Sequence, residues 1–162
     1  MKFIALRDLW QHKGNPDALY FTTAFSGTQT FESYNNYYTD RFLVAETIKK
    51  GQAQYEYMMQ IVGQISSKAY DCTWNGYPTK VVNIGYPLSS DCGDWLSERS
   101  PDCVVLLWTK QIGAEYIYSL RSNNPKGPNV ATIAKLYGGG GHAHASGFKS
   151  ELTPDELINK KT

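Results

Sequence analysis

Gly138-Gly139-Gly140-Gly141 runs directly into His142-Ala143-His144-Ala145-Ser146-Gly147-Phe148 near the C-terminus. Glycine loses more backbone freedom on ordering than any other residue, so a run of them opposes folding. A helix end needs one glycine, just past its last turn. A longer run points to a second demand: positive φ, or a backbone that must touch something. Successive glycine amides form a concave nest for anions. An imidazole beside it adds a donor that strengthens on protonation. Ala143, Ala145, Ser146 and Gly147 leave room above the loop. The competing reading is a flexible linker with a chance histidine. A metal pair at His142 and His144 would need further ligands, and no acidic residue is well placed in sequence to supply them.

The rest of the composition narrows the function classes. At 162 residues the chain suits one domain with an attached segment and can bury a core unaided. The net charge of +1 argues against a long nucleic acid as partner, and leaves room for a small anion at one local site. No apolar run approaches the ~18 residues of a membrane span, and Arg7 and Asp8 interrupt the N-terminal run too early for a signal peptide. Cys72, Cys92 and Cys103 are odd in number and lack C-x-x-C spacing. They read as reduced thiols of a cytoplasmic protein rather than a zinc site or a disulfide framework. No cofactor is implied. Tyrosine is over-represented at 12 residues, as half-buried packing or as stacking surface for bases.

Local signals place these residues on elements. Asn15-Pro16-Asp17 opens a helix. The polar, aromatic stretch 28–40 shows no clear period. Thr39 or Asp40 caps a long helix over 40–69, with Val44, Ile48, Tyr55, Met58, Val62 and Ile65 along one stripe. Its length suits a connector or a dimer seam, and core packing is the alternative. Strands are expected at 79–86, 103–108 and 114–122, with a short helix from about Asp91 before the second. Asn129 caps a helix over 130–137 that ends in the tetraglycine, followed by a further strand. Thr153-Pro154-Asp155-Glu156 is a capping box for a last helix. The expected class is α/β: a mixed sheet with flanking helices, preceded by a long N-terminal connector helix. The expected division is a helical segment over 1–75 and an α/β domain over 76–162.

Ser119-Leu120-Arg121-Ser122, the helix Val130 to Tyr137 and the run Gly138 to Phe148 together resemble the C-terminal domain of DHH-family phosphoesterases, which include oligoribonucleases and cyclic-dinucleotide phosphodiesterases. Val82-Asn83 with Ser89 and Ser90 fits that family's strand and serine loop, and Arg7-Asp8-Leu9-Trp10 fits the end of its catalytic domain. The resemblance implies that Gly138, Gly139, Gly140, Gly141, His142 and Arg121 grip phosphate and sugar; Ser119, Ser122, Ser90, His144 and Ser146 are expected beside them, with Trp10 and tyrosines offering rings for bases to stack on. Arginine can fork onto a phosphate bidentately. The family's Asp-His-His triplet and its further aspartates, which hold two metal ions, do not occur in this sequence. The expectation is therefore a non-enzymatic protein that binds and sequesters a small phosphorylated nucleotide, as a viral protein soaking up a host nucleotide signal would. A homodimer or higher oligomer, partly along helix 40–69, would close the site. The alternative is a substrate-binding part of a phosphodiesterase.

Overall fold

The computed structural model describes residues 2–8, 14–25 and 30–160. The chain divides into two compact units, residues 1–60 and 61–162, with the division inside one long helix.

The first unit is helical. It comprises α1 (Lys2–Asp8), α2 (Pro16–Ala24), α3 (Phe31–Thr39) and most of α4 (Arg41–Ser66). Proline starts α2, where its missing N–H costs nothing. Asn15 occupies the cap position without a side-chain capping bond. Asp40 caps α4, accepting from the amides of Phe42 (2.8 Å) and Leu43 (3.0 Å). Phe3, Phe21, Phe25 and Tyr37 form an aromatic cluster between the shorter helices. A side chain at Gly51 would run into the Tyr20 carbonyl, so glycine lets α2 lie directly on α4. Among the described residues no helix is long and apolar enough to cross a membrane.

The second unit is a mixed sheet with helices on both faces. In chain order it contains β1 (Tyr70–Trp74), β2 (Tyr77–Asn83), α5 (Ser89–Arg99), β3 (Val104–Lys110), β4 (Tyr116–Arg121), α6 (Val130–Leu136), β5 (Gly140–His142), β6 (Ala145–Ser150) and α7 (Pro154–Asn159). The strand order is β1-β2-β3-β4-β6-β5. β2 and β3 are parallel, with α5 as their crossover, and the other pairs are antiparallel. The architecture is thus the expected mixed α/β sheet with flanking helices after a long helix. β1, and α3 in the first unit, are elements for which the sequence offered no clear period.

One face carries the core. Trp74, Leu106, Tyr118, Leu120 and Phe148 are buried with Val130 and Ile133 of α6 and Leu157 of α7. Trp74, Tyr137, Phe148 and Tyr118 stack in succession, with ring centroids 4.7–5.4 Å apart. Tyr118 donates to the Leu152 carbonyl at 2.7 Å, and burial raises its phenol pKa. The opposite face is covered over β3 and β4 by α5. The end of α4 packs on α5, with Ser66 Oγ 3.2 Å from Cys92 Sγ and Gly63 against Trp95.

The capping box of α7 forms as the sequence predicts. Thr153 Oγ1 accepts from the Glu156 amide at 3.2 Å, and the Glu156 carboxylate accepts from the Thr153 amide at 2.8 Å. Those bonds hold the Glu156 pKa below its ordinary value. The box therefore stabilises fully above the unfolded-state carboxylate pKa, and its contribution is lost as pH falls through the lower folded value. Thr153→Ala is expected to lower unfolding free energy by about 1 kcal/mol at neutral pH, measured by urea titration. No change would show that the box does not stabilise the docked helix.

Candidate ligand-binding site

Alternation along β4 separates its side chains. Tyr118 and Leu120 enter the core, which leaves Ser119 and Arg121 on the α5 face. Register then extends two rows across the sheet. Ser119 pairs with Gly147 and Gly147 with Gly140, while Arg121 pairs with Ala145 and Ala145 with His142. Directly paired residues share a face. The outer strands thus present a floor of Gly140, Gly147, Ala145 and Ser119, bounded by Arg121 on one side and His142 on the other. Neighbouring strands lie about 4.8 Å apart, so the two bounding backbones are roughly 10 Å apart.

Arg121 is held in place by its surroundings. A Cβ at Gly93 of α5 would sit 2.5 Å from Arg121 Cγ, so the aliphatic stem passes directly under that glycine. Nη2 donates to Ser90 Oγ at 3.1 Å and Nη1 to the Leu120 carbonyl at 3.0 Å. Nε is buried without a hydrogen-bond partner. Burial lowers the pKa of the guanidinium, with Asp94 opposing the shift, yet an arginine remains charged at any physiological pH. The result is a half-buried, fixed cation with donor capacity unspent.

The four glycines answer different demands. Gly138 has φ +75° and follows the last turn of α6, its amide donating back to Lys135. A side chain at Gly139 would strike the Gly147 carbonyl and Phe148. Gly141 has φ +138° and is also crowded by Ala145 and Ser146. Gly140 is different: its φ is not positive, and a Cβ there would meet nothing within 4 Å. Nothing in the chain itself requires glycine at that position. Gly140 and Gly141 pair as strand β5, so the run is half cap and half sheet edge.

The other predicted site residues separate into two groups. His142 is exposed and shares the row of Arg121. Ser146 is buried, pairs with Leu120 and Gly141 on the other face, and donates to the His142 carbonyl at 2.6 Å. Ser122 gives its one hydroxyl proton to the Pro128 carbonyl at 2.6 Å, so at 2.9 Å from His144 Nδ1 it accepts. That assigns the proton of neutral His144 to Nδ1 and leaves Nε2 as an acceptor. Ser122 and Ser146 brace the hairpin that carries the two histidines. Trp10 lies outside the described residues. The sequence reading missed Gly93; its signal was a glycine inside an otherwise ordinary helix, where it costs helix stability. Among the described residues no cluster of three or more His, Cys, Asp or Glu is arranged to hold a metal ion.

No protein-family model and no curated protein matches the sequence. Solved structures do. A pGpG-specific phosphodiesterase, PggH from Vibrio cholerae, matches over 83% of this chain at 12% identity with a TM-score of 0.53. Weaker likenesses include an exopolyphosphatase-related protein from Bacteroides fragilis (17% identity, 80% of this chain and 42% of that one, TM-score 0.42) and an uncharacterized protein from Helicobacter pylori (17%, 75% and 31%, TM-score 0.40). The likeness to PggH is one of fold. The chain spans 52% of the PggH chain, about half its length.

Proposed function

We propose that this chain binds a small phosphorylated nucleotide on the α5 face of its sheet and holds it without cleaving it. The observation that carries this is Arg121, a partly desolvated cation fixed by Ser90 and Gly93, which spends only one N–H of each Nη on the protein and keeps the second for a ligand. A phosphate oxygen is the acceptor that such a group fits, because charge-assisted bonds are strongest where water is partly excluded. The α5 helix starts at Ser89 without a side-chain cap, so its first-turn amides add to the field at the same point. Gly140 lets the ligand lie against the backbone of β5, and His142 closes the far side. Resemblance to the DHH-family C-terminal domain, and likeness in fold to a pGpG-specific phosphodiesterase, support a nucleotide as the phosphate's carrier. The missing Asp-His-His triplet supports binding without hydrolysis, and hence sequestration. A homodimer along α4 would supply the further surface that a closed site needs.

A second reading has its own support. The chain spans about half the length of a phosphodiesterase, so it would equally serve as the substrate-binding part of such an enzyme, its metal centre carried elsewhere. Retention of ligand separates the two, because a sequestering protein keeps its nucleotide through purification whereas a substrate-binding part releases its substrate. The purified protein is denatured and the supernatant examined by mass spectrometry for released nucleotide; fresh protein is then incubated with pGpG and manganese. Sequestration predicts a co-purified nucleotide and pGpG recovered intact. Cleavage that survives repurification and disappears in Arg121→Ala would overturn it in favour of an enzyme. Neither co-purified nucleotide nor measurable pGpG binding would remove both readings.

A further inference from the structure

We infer that Tyr86 is the platform on which a base of the bound ligand stacks. The inference rests on the nucleotide-binding reading above and extends it from the phosphate to the base. A nucleotide on the floor described here would find Gly140, Gly147, Ala145 and Ser119 beneath it, none of which offers a flat apolar surface. Bases bound to proteins are commonly held by aromatic stacking. The ring must come from somewhere nearby.

Most aromatic rings of the second unit are already committed. Trp74, Trp108, Tyr116, Tyr118, Tyr137 and Phe148 pack in or against the core on the other face. Trp95 on α5 is covered by the Arg99 guanidinium, 3.4 Å from its ring centroid. Tyr70 and Tyr77 lie in the β1–β2 hairpin, paired with Val81 and Trp74, at the sheet edge farthest from β5. Tyr86 is 96% exposed and has no ring contact, hydrogen bond or ion pair among the described residues.

Its position is the second half of the case. Tyr86 lies in the loop from β2 to α5, four residues before Ser90. Ser90 holds the Arg121 guanidinium. The Arg121 stem runs under Gly93 and its tip reaches Ser90, so the charge sits at the start of α5, where this loop delivers the chain. The loop is anchored on both sides of the ring. The Ile84 amide donates to the Trp108 carbonyl at 2.9 Å, Gly85 packs on Thr109, and the Leu88 amide donates to the Gly85 carbonyl at 3.2 Å. A ring presented by an ordered loop loses little further freedom on binding. A large ring wholly in water, on the loop that leads to the residue holding a fixed cation, matches the two ends of a nucleotide, base and phosphate.

The test separates base from phosphate. Tyr86→Ala, Tyr86→Phe and Arg121→Ala are each titrated with pGpG and, by competition, with ribose 5-phosphate, which has no base. Tyr86→Ala is expected to weaken pGpG about ten-fold or more and leave ribose 5-phosphate unchanged. Tyr86→Phe keeps the ring and restores the affinity, whereas Arg121→Ala weakens both probes. Circular dichroism checks that each variant is folded, which the exposure of Tyr86 favours. If Tyr86→Ala binds pGpG like the unaltered chain while Arg121→Ala does not, Tyr86 is no platform and the phosphate site stands. If the unaltered chain binds neither probe, the nucleotide reading fails, and the stacking proposal with it.

Discussion

Arg121→Ala is expected to lower nucleotide affinity by about ten- to a hundred-fold while leaving the protein folded. Removing a charge-assisted contact in a partly desolvated site costs roughly 1.5–3 kcal/mol, which is that fold-change. Arg121→Lys keeps the charge but cannot fork, and should fall between. Arg121→Met, whose unbranched stem still fits beneath Gly93, should lose the ligand and fold at least as well, because a buried donor without a partner opposes folding. Calorimetry with pGpG reads the first effect and thermal melting the second. An Arg121→Ala protein that binds as tightly as the unaltered chain would mean that the site lies elsewhere.

The second large effect divides two adjacent glycines. Gly139→Val places a side chain into the Gly147 carbonyl and Phe148. Overpacking against backbone has few ways to relax, and a loss of about 3 kcal/mol or more is expected. Gly140→Val meets open space and a strand conformation that valine favours. It should melt at or above the temperature of the unaltered protein. Its valine would nonetheless stand on the floor beside His142, in the row of Gly147 and Ser119, and binding should be lost. One glycine then belongs to the fold and its neighbour to the ligand. Equal destabilisation by both substitutions, or full binding by Gly140→Val, would refute that division.

The parts legible in the sequence were those written locally. The Thr153 box and the Asn129 cap depend on residues two or three apart, and both form. The strand ending in Arg121 alternates openly, because one of its faces is buried. β1 was hidden because only Trp74 of its five residues is buried, so no alternation marks it. In α3, Phe31, Tyr34 and Tyr38 stand at helical spacing, but they are aromatic residues that also favour strands, set in a polar run, so the period was not clear from the sequence. β5 could not be read from propensity, since glycine disfavours strands; pairing with β6 makes it one. The tetraglycine announced a site, but not which glycine serves it. That follows from which neighbours crowd each position, and those neighbours lie in other strands. The passage of Arg121 beneath Gly93 is likewise a contact between elements nearly thirty residues apart, invisible to spacing.

Strand order has a consequence for how the site opens. Arg121 and Ser119 sit on β4, paired on both sides within the sheet, whereas Gly140 and His142 sit on β5, which is three residues long and, among the described residues, paired only with β6. Amide exchange in sheets is slowest where a strand is flanked on both sides and fastest at short edges. The ligand bed therefore joins the part of this sheet that opens last to the part that opens first. A phosphate held between them ties the free edge to the centre, so that occupancy of the site and closure of that edge become a single equilibrium.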